Sequence, residues 1–165
     1  MGVTSGFRRL STEDLSRLTE DAAAFESECR NYDTPDYLDM DKAGVELIFI
    51  LDPLSMELDT TETEETFPGL MDVLAGGAPV HEQIDLGYGP ARVIPAESLR
   101  ESLEEMASLT QEQFTELAMS NEILSEMLMC ELEESMIQEY HWPYLQSLSE
   151  FLRESLDQGK TVIRY

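Results

Sequence analysis

The chain has 165 residues, 42% of them hydrophobic, with 35 acidic against 10 basic side chains and a formal net charge of −25. One domain of this length can bury roughly 70% of its unfolded surface. The charge argues strongly against a nucleic-acid binder that works by neutralising phosphates, because affinity there comes from cations displacing counterions. It equally disfavours docking on anionic lipid.

The first ten residues mix Gly, Val, Thr and Phe and predict a strand. Ser11 follows as a helix N-cap, with Glu13 and Asp14 in the first turn. Leu15, Leu18, Ala22, Phe25 and Cys29 recur three and four apart, so one amphipathic helix is expected to run up to the break at Asn31–Pro35. Asp39 or Asp41 can cap the next element, the apolar run Val45–Leu51, which periodicity alone leaves open between buried strand and buried helix. Asp52–Pro53 ends it.

Residues 57–66 are acidic, Thr-rich and poor in apolar side chains, and predict an exposed loop. Pro68 can open a short helix over Gly69–Ala75, closed by Gly76–Gly77. Gly87-Tyr88-Gly89-Pro90 is a turn cluster leading to a strand at Ala91–Ile94. There Tyr88 and Arg92 read mainly as turn chemistry, with Arg92 expected to pair with an acid.

The pattern then turns helical. Leu99, Leu103 and Met106 form a stripe, and Thr110 with Gln113 forms a capping box ahead of Phe114, Leu117 and Ala118. Ser120 or Asn121 is expected to cap a longer helix carrying Ile123 through Met136. Trp142-Pro143 predicts a kink or break, after which Tyr144 to Leu156 resume helical spacing. Gly159 fits the position after the helix end, and Lys160–Tyr165 is a final β-branched strand. The simplest closure is a helix-rich, single α+β domain over residues 1–165. Its small, mostly antiparallel sheet is built from the N-terminal, central (Ala91–Ile94) and C-terminal strands.

Motifs for chemistry are scarce. His81, His141, Cys29 and Cys130 are too few and too scattered for a zinc site. Cys29 and Cys130 predict buried free thiols. Gly159-Lys160-Thr161 lacks the first glycine of a P-loop and runs from helix to strand. No catalytic residue, metal or cofactor is therefore expected. The start has no apolar core of signal-peptide length, and the longest apolar run, Leu47–Leu51, is far too short to span a bilayer. A cytoplasmic protein is the expectation. His81 should be exposed, and Arg8 and Arg9 should neutralise nearby acid.

Two features remain. His141 beside Tyr140 and Trp142 is the most chemically loaded spot, expected first as packing at a kink. The second is charge: no Lys or Arg occurs from Ala43 to Ala91 or from Glu101 to Leu152. Uncompensated negative faces of this kind fit two readings equally, the background of a salt-adapted or acidic proteome and a surface that attracts a cationic partner. The expectation is a non-enzymatic acidic module that masks a basic protein, in the manner of an immunity or antitoxin-like protein. Glu104, Glu105, Glu133 and Glu134 are its candidate contacts. The alternative is a small-molecule-binding protein or enzyme with a pocket near Tyr88, Arg92, His141 and Trp142.

The chain also resembles a known family along its whole length. Leu38-Asp39-Met40-Asp41-Lys42-Ala43 followed by Leu47–Leu51, and Leu74-Ala75-Gly76-Gly77 leading to Asp85-Leu86-Gly87-Tyr88-Gly89-Pro90-Ala91-Arg92, look like the YfbM-like bacterial family, a domain of unknown function. It departs from that pattern at Gly44, where the family usually has an aromatic residue, and over Glu122–Met129, where the family usually has Tyr-Pro and Trp. The resemblance implies one bacterial α+β domain and a helix at Asp41–Leu51. It implies no activity.

Overall fold

A computed structural model describes residues 5–52, 66–86, 89–121, 124–127 and 131–165. Strand β1 (Gly6–Leu10) leads through α1 (Thr12–Glu20) and α2 (Ala22–Cys29) to β2 (Tyr37–Asp39) and α3 (Ala43–Leu51). Then come α4 (Pro68–Leu74), β3 (Ala78–Pro79), β4 (Arg92–Ile94), α5 (Ala96–Ser108) and α6 (Gln111–Met119). Short helices α7 (Leu124–Met127) and α8 (Glu134–Met136) precede a π-helical segment, Ile137–His141, which runs into α9 (Trp142–Asp157) and β5 (Thr161–Arg164). The expected α+β class holds. The sheet is antiparallel throughout, in the order β2-β1-β5-β4-β3.

Register decides what each face carries, because residues directly opposite across strands point the same way. Phe7, Arg164 and Arg92 form one row and Arg9, Val162 and Ile94 the next, both on one face. The larger core lies there, with Phe7, Ile94 and Val162 packed among Leu47, Ile50, Leu99, Phe114, Leu148 and Leu152. Arg8, Ile163 and Val93 point the other way. Leu10 and Ile163 meet Leu18, Phe25, Cys29 and Ala91 in a smaller cluster. Helices on both faces leave all five residues of β1 buried. That is why this strand lacks the alternation of a half-exposed one.

Local chemistry explains several departures from the sequence reading. The helix expected from Ser11 to Cys29 is two helices. The Asp21 carboxylate accepts from the Ala24 backbone N–H and caps α2, while its own N–H closes α1 on the Leu18 carbonyl. Val45–Leu51 is helical, but neither Asp39 nor Asp41 caps it. Lys42 stands at the N-cap without a side-chain bond, and the Asp39 carboxylate instead accepts from the Asp41 N–H at 2.8 Å. A Cβ on Gly44 would run into the Ser5 hydroxyl and press on Met40 Cβ at 3.0 Å, so any larger residue there requires Ser5 to move.

The long helix expected from Ser120 to Met136 is divided. Glu131–Glu133 are not helical, and the Leu132 N–H donates to Ser125 Oγ at 3.3 Å. Trp142-Pro143 does not break the last helix. The π-helical segment widens the turn just ahead of Pro143, whose missing N–H then falls at the start of α9. Strands β2 and β3, three and two residues long, are too short to leave an alternating pattern in the sequence. The expected loop at 57–66 lies outside the described residues except for exposed Thr66, and Cys130 lies outside them too. No helix among the described residues is long and apolar enough to cross a membrane.

Helix α4 packs closely on α5. A Cβ on Gly69 would meet Glu101 and the Ser102 backbone nitrogen at 2.6–2.7 Å, so only glycine allows this approach. α4 has no side-chain cap of its own. The Glu105 carboxylate takes that role from α5, accepting from the N–H groups of Gly69 at 3.0 Å and Leu70 at 2.7 Å.

Candidate functional site

The start of α9 and the start of α3 hold one polar cluster inside the larger core. His141 is 0% exposed, and its Nε2 donates to the Glu46 carboxylate at 2.8 Å. The acceptor is a carboxylate, so Nε2 carries the hydrogen. Nδ1 is buried without a partner. Next to it the Tyr140 hydroxyl donates to Asp41 at 3.0 Å, and the Tyr140 ring stands edge-on to both His141 and Tyr144 at 5.0 Å. Burial first, then the Asp41 hydrogen bond and charge, pushes the Tyr140 phenol above its ordinary range. Tyr144 is raised by burial and then by Asp41 and Asp39. Asp41 itself holds a left-handed backbone, φ 46°, a conformation rare outside glycine. Two carboxylates, two tyrosines and a histidine are thus organised around a widened turn. The sequence singled out His141 but not Glu46, which reaches it only because α3 packs on the π-helical segment.

The other ligand-binding candidates lie elsewhere. Trp142 packs on Phe114 at 5.6 Å. It lines a cavity of about 220 Å³ whose floor includes Met106, Leu109 and Leu145 and whose rim includes Glu150 and Arg153. Arg92 sits on β4 between Arg164 and Pro79, and its Nη1 donates to the Gly77 carbonyl at 2.9 Å. The expected acid partner of Arg92 is not found among the described residues; a backbone carbonyl takes its place. Tyr88 lies outside them. His81 is not exposed as expected. It is half-buried, bonds the Leu18 carbonyl at 2.9 Å and packs on Phe25 at 5.1 Å.

The candidate acids divide as well. Glu104, Glu133 and Glu134 are exposed, while Glu105 is the cap of α4. Glu133 accepts from the Ser135 hydroxyl and Glu134 from Gln138. Glu134 also lines a groove of about 260 Å³ with Glu112, Thr115, Glu116, Met119 and Gln138. Met119 is 45% exposed there. Glu112, Glu116 and Met119 share a face of α6 by their four- and three-residue spacing, a signal the sequence carried. Each described Lys or Arg ion pair lies elsewhere: Arg8–Glu28, Arg9–Asp36, Arg9–Glu154, Arg17–Asp14, Arg30–Glu26 and Lys160–Asp36. Arg8 and Arg9 do neutralise nearby acid. No group of three or more His, Cys, Asp or Glu side chains among the described residues is arranged to hold a metal ion.

A five-stranded antiparallel sheet covered by helices defines a helix-rich α+β domain. The model of a domain of unknown function, DUF1877, matches residues 1–165, and the chain belongs to that family. The fold is similar to the crystal structure of YfbM from Escherichia coli, a protein of unknown function, with a TM-score of 0.65 at 14% identity over 98% of each chain. No curated protein matches the sequence.

Proposed function

We propose that this protein is a cytoplasmic, non-enzymatic bacterial module that binds a basic protein and masks it, in the manner of an immunity or antitoxin-like protein. The observation that carries the reading is the groove between α6 and α8. Three carboxylates, Glu112, Glu116 and Glu134, surround half-exposed Met119. None of the three has a Lys or Arg partner among the described residues. Such a groove suits a lysine or arginine side chain: the carboxylates take the charge and the pliable Met119 takes the apolar stem. Exposed Glu104 and Glu133 extend the negative field that would steer the encounter.

The test is a tagged pull-down from native lysate at low and high salt. It compares the wild type with Glu112→Gln/Glu116→Gln/Glu134→Gln and with a control triple, Glu13→Gln/Glu20→Gln/Glu82→Gln. A basic protein retained in stoichiometric amount at low salt, released at high salt and lost only in the groove variant is the expected result. Equal retention by both variants, or an empty pull-down, overturns it.

A second reading, a small-molecule-binding protein or enzyme, is favoured by the Trp142 cavity with its apolar floor. Trp142 is the only tryptophan of the chain, so a metabolite entering that cavity would change the intrinsic fluorescence directly.

A further inference from the structure

Arg92 and Arg164 are direct partners across β4 and β5, so their side chains leave the same face of the sheet side by side. Like charges in that position repel and weaken a strand pair. The chain has 35 acidic residues, and Arg8, Arg9, Arg17, Arg30 and Lys160 all find one. Arg92 and Arg164 find none among the described residues. Lys42, Arg100 and Arg153 lack one too, but those three are exposed and water solvates them. Arg92 and Arg164 are half-buried, so their charge is only partly hydrated.

The two guanidiniums are nonetheless held in place. Arg164 Nη2 donates to the carbonyls of Ala75 at 3.0 Å and Gly76 at 3.3 Å, and Arg92 Nη1 donates to Gly77 at 2.9 Å. These consecutive carbonyls follow the C-terminal end of α4, where cations are favoured. Gly77 has φ +93°, and a Cβ there would crowd the Val93 carbonyl at 2.7 Å and the Arg92 Cβ at 3.1 Å, so the chain comes close to the arginines only as glycine. The three carbonyls leave most of the N–H donors of two guanidiniums unused. Arg164 Nε is buried without any partner. Burial, and then the neighbouring Arg92, lowers the pKa of Arg164, which marks a place short of negative charge.

We propose that Arg92 and Arg164 form a binding site for the oxyanion of a small molecule, a phosphate or a carboxylate group. Paired guanidiniums match both groups, since their planar N–H forks meet two oxygens at once. The bound anion would cancel the cross-strand repulsion and take up Nη donors that the carbonyls leave free. The site is independent of the acidic groove, because it lies on β4 and β5 rather than on α6 and α8.

Isothermal titration in chloride buffer, with inorganic phosphate in one arm and citrate in the other, separates the two chemistries. Urea unfolding is run with and without the anion that binds. Saturable binding at millimolar concentration is expected for at least one anion. Arg92→Gln should weaken it at least tenfold, and Arg100→Gln should not change it. In chloride alone Arg92→Gln should leave the unfolding midpoint unchanged or raise it, while the anion should raise only the wild-type midpoint. Arg164→Gln, if it folds, should behave as Arg92→Gln does. The absence of saturable binding of either anion overturns the proposal, as does binding that survives Arg92→Gln. So does an Arg92→Gln midpoint that falls equally with and without the anion, because that is the signature of carbonyl anchoring alone.

Discussion

The sheet side and the helical side of this molecule treat negative charge in opposite ways. Around β1 the acids are consumed. Arg8 pairs with Glu28, Arg9 with Asp36 and Glu154, and Lys160 again with Asp36. Arg9 lies over the Phe151 ring and Arg8 over Tyr37, so the cations also pack. Across Glu101–Leu152 there are twelve glutamates and no Lys or Arg. Where a glutamate there is needed by the fold, it is given backbone donors instead, as Glu105 is by Gly69 and Leu70. Acids around β1 have cations, Glu105 has backbone donors, and those around the α6–α8 groove have no Lys or Arg partner among the described residues. An evenly acidic surface would not separate in this way.

The comparison breaks most visibly at Arg8. It is 0% exposed, with Nη1 on Glu28, Nε donating to the Tyr165 hydroxyl and Nη2 to the Asn31 carbonyl. Arg8→Ala strands these partners and should cost about 3 kcal/mol by urea unfolding. Arg8→Lys should recover only part of that, since an ammonium cannot reach three separated acceptors. Next in size is Glu105→Ala, which uncaps α4 and should cost about 1 kcal/mol. Glu104→Ala, one residue away and exposed, should stay within about 0.5 kcal/mol, and the difference between the two isolates the cap.

A smaller effect should appear with pH. Burial alone would raise the Asp36 carboxyl, but the hydrogen bonds from Lys160 and Arg9 outweigh it and hold its pKa below the ordinary value. A lowered folded pKa contributes stability above the unfolded value of about 3.9, and that stability is lost as pH falls through the folded value. The urea midpoint should therefore drop below about pH 4, and Asp36→Asn should flatten that drop. Solvent screens this partly exposed carboxylate, so the change should be smaller than that of Arg8→Ala. Smallest is the response of Cys29. Burial pushes its thiol up to about 12, so mass-mapped alkylation at neutral pH should leave it unmodified until the protein unfolds.

How much of this was legible follows from the range of each interaction. The Thr110–Gln113 capping box, Pro68 at the start of α4 and Gly159 at φ +63° after α9 are local, and the sequence carried them in full. Asp21 was legible in principle, but its apolar neighbours kept helical spacing across the break and hid it. The polar cluster was half legible. His141 stood out beside its aromatic neighbours, whereas Glu46 lies 95 residues away and needed the packing of α3 to find it. Arg164 carried no signal at all, because its pairing with Arg92 exists only in the register of β4 on β5. The groove lay between these extremes: Glu112, Glu116 and Met119 share a helical face in the sequence, but Glu134 joins them through the fold.

On the proposed reading the groove carboxylates serve binding, and the fold does not depend on their charge. The direct measurement takes one preparation of Glu112→Gln/Glu116→Gln/Glu134→Gln and reads both its urea midpoint and its retention of the basic partner. The account predicts a midpoint equal to the wild type or higher, since like-charge repulsion is relieved, together with loss of the partner. A lowered midpoint, or a partner still retained at low salt, would contradict it.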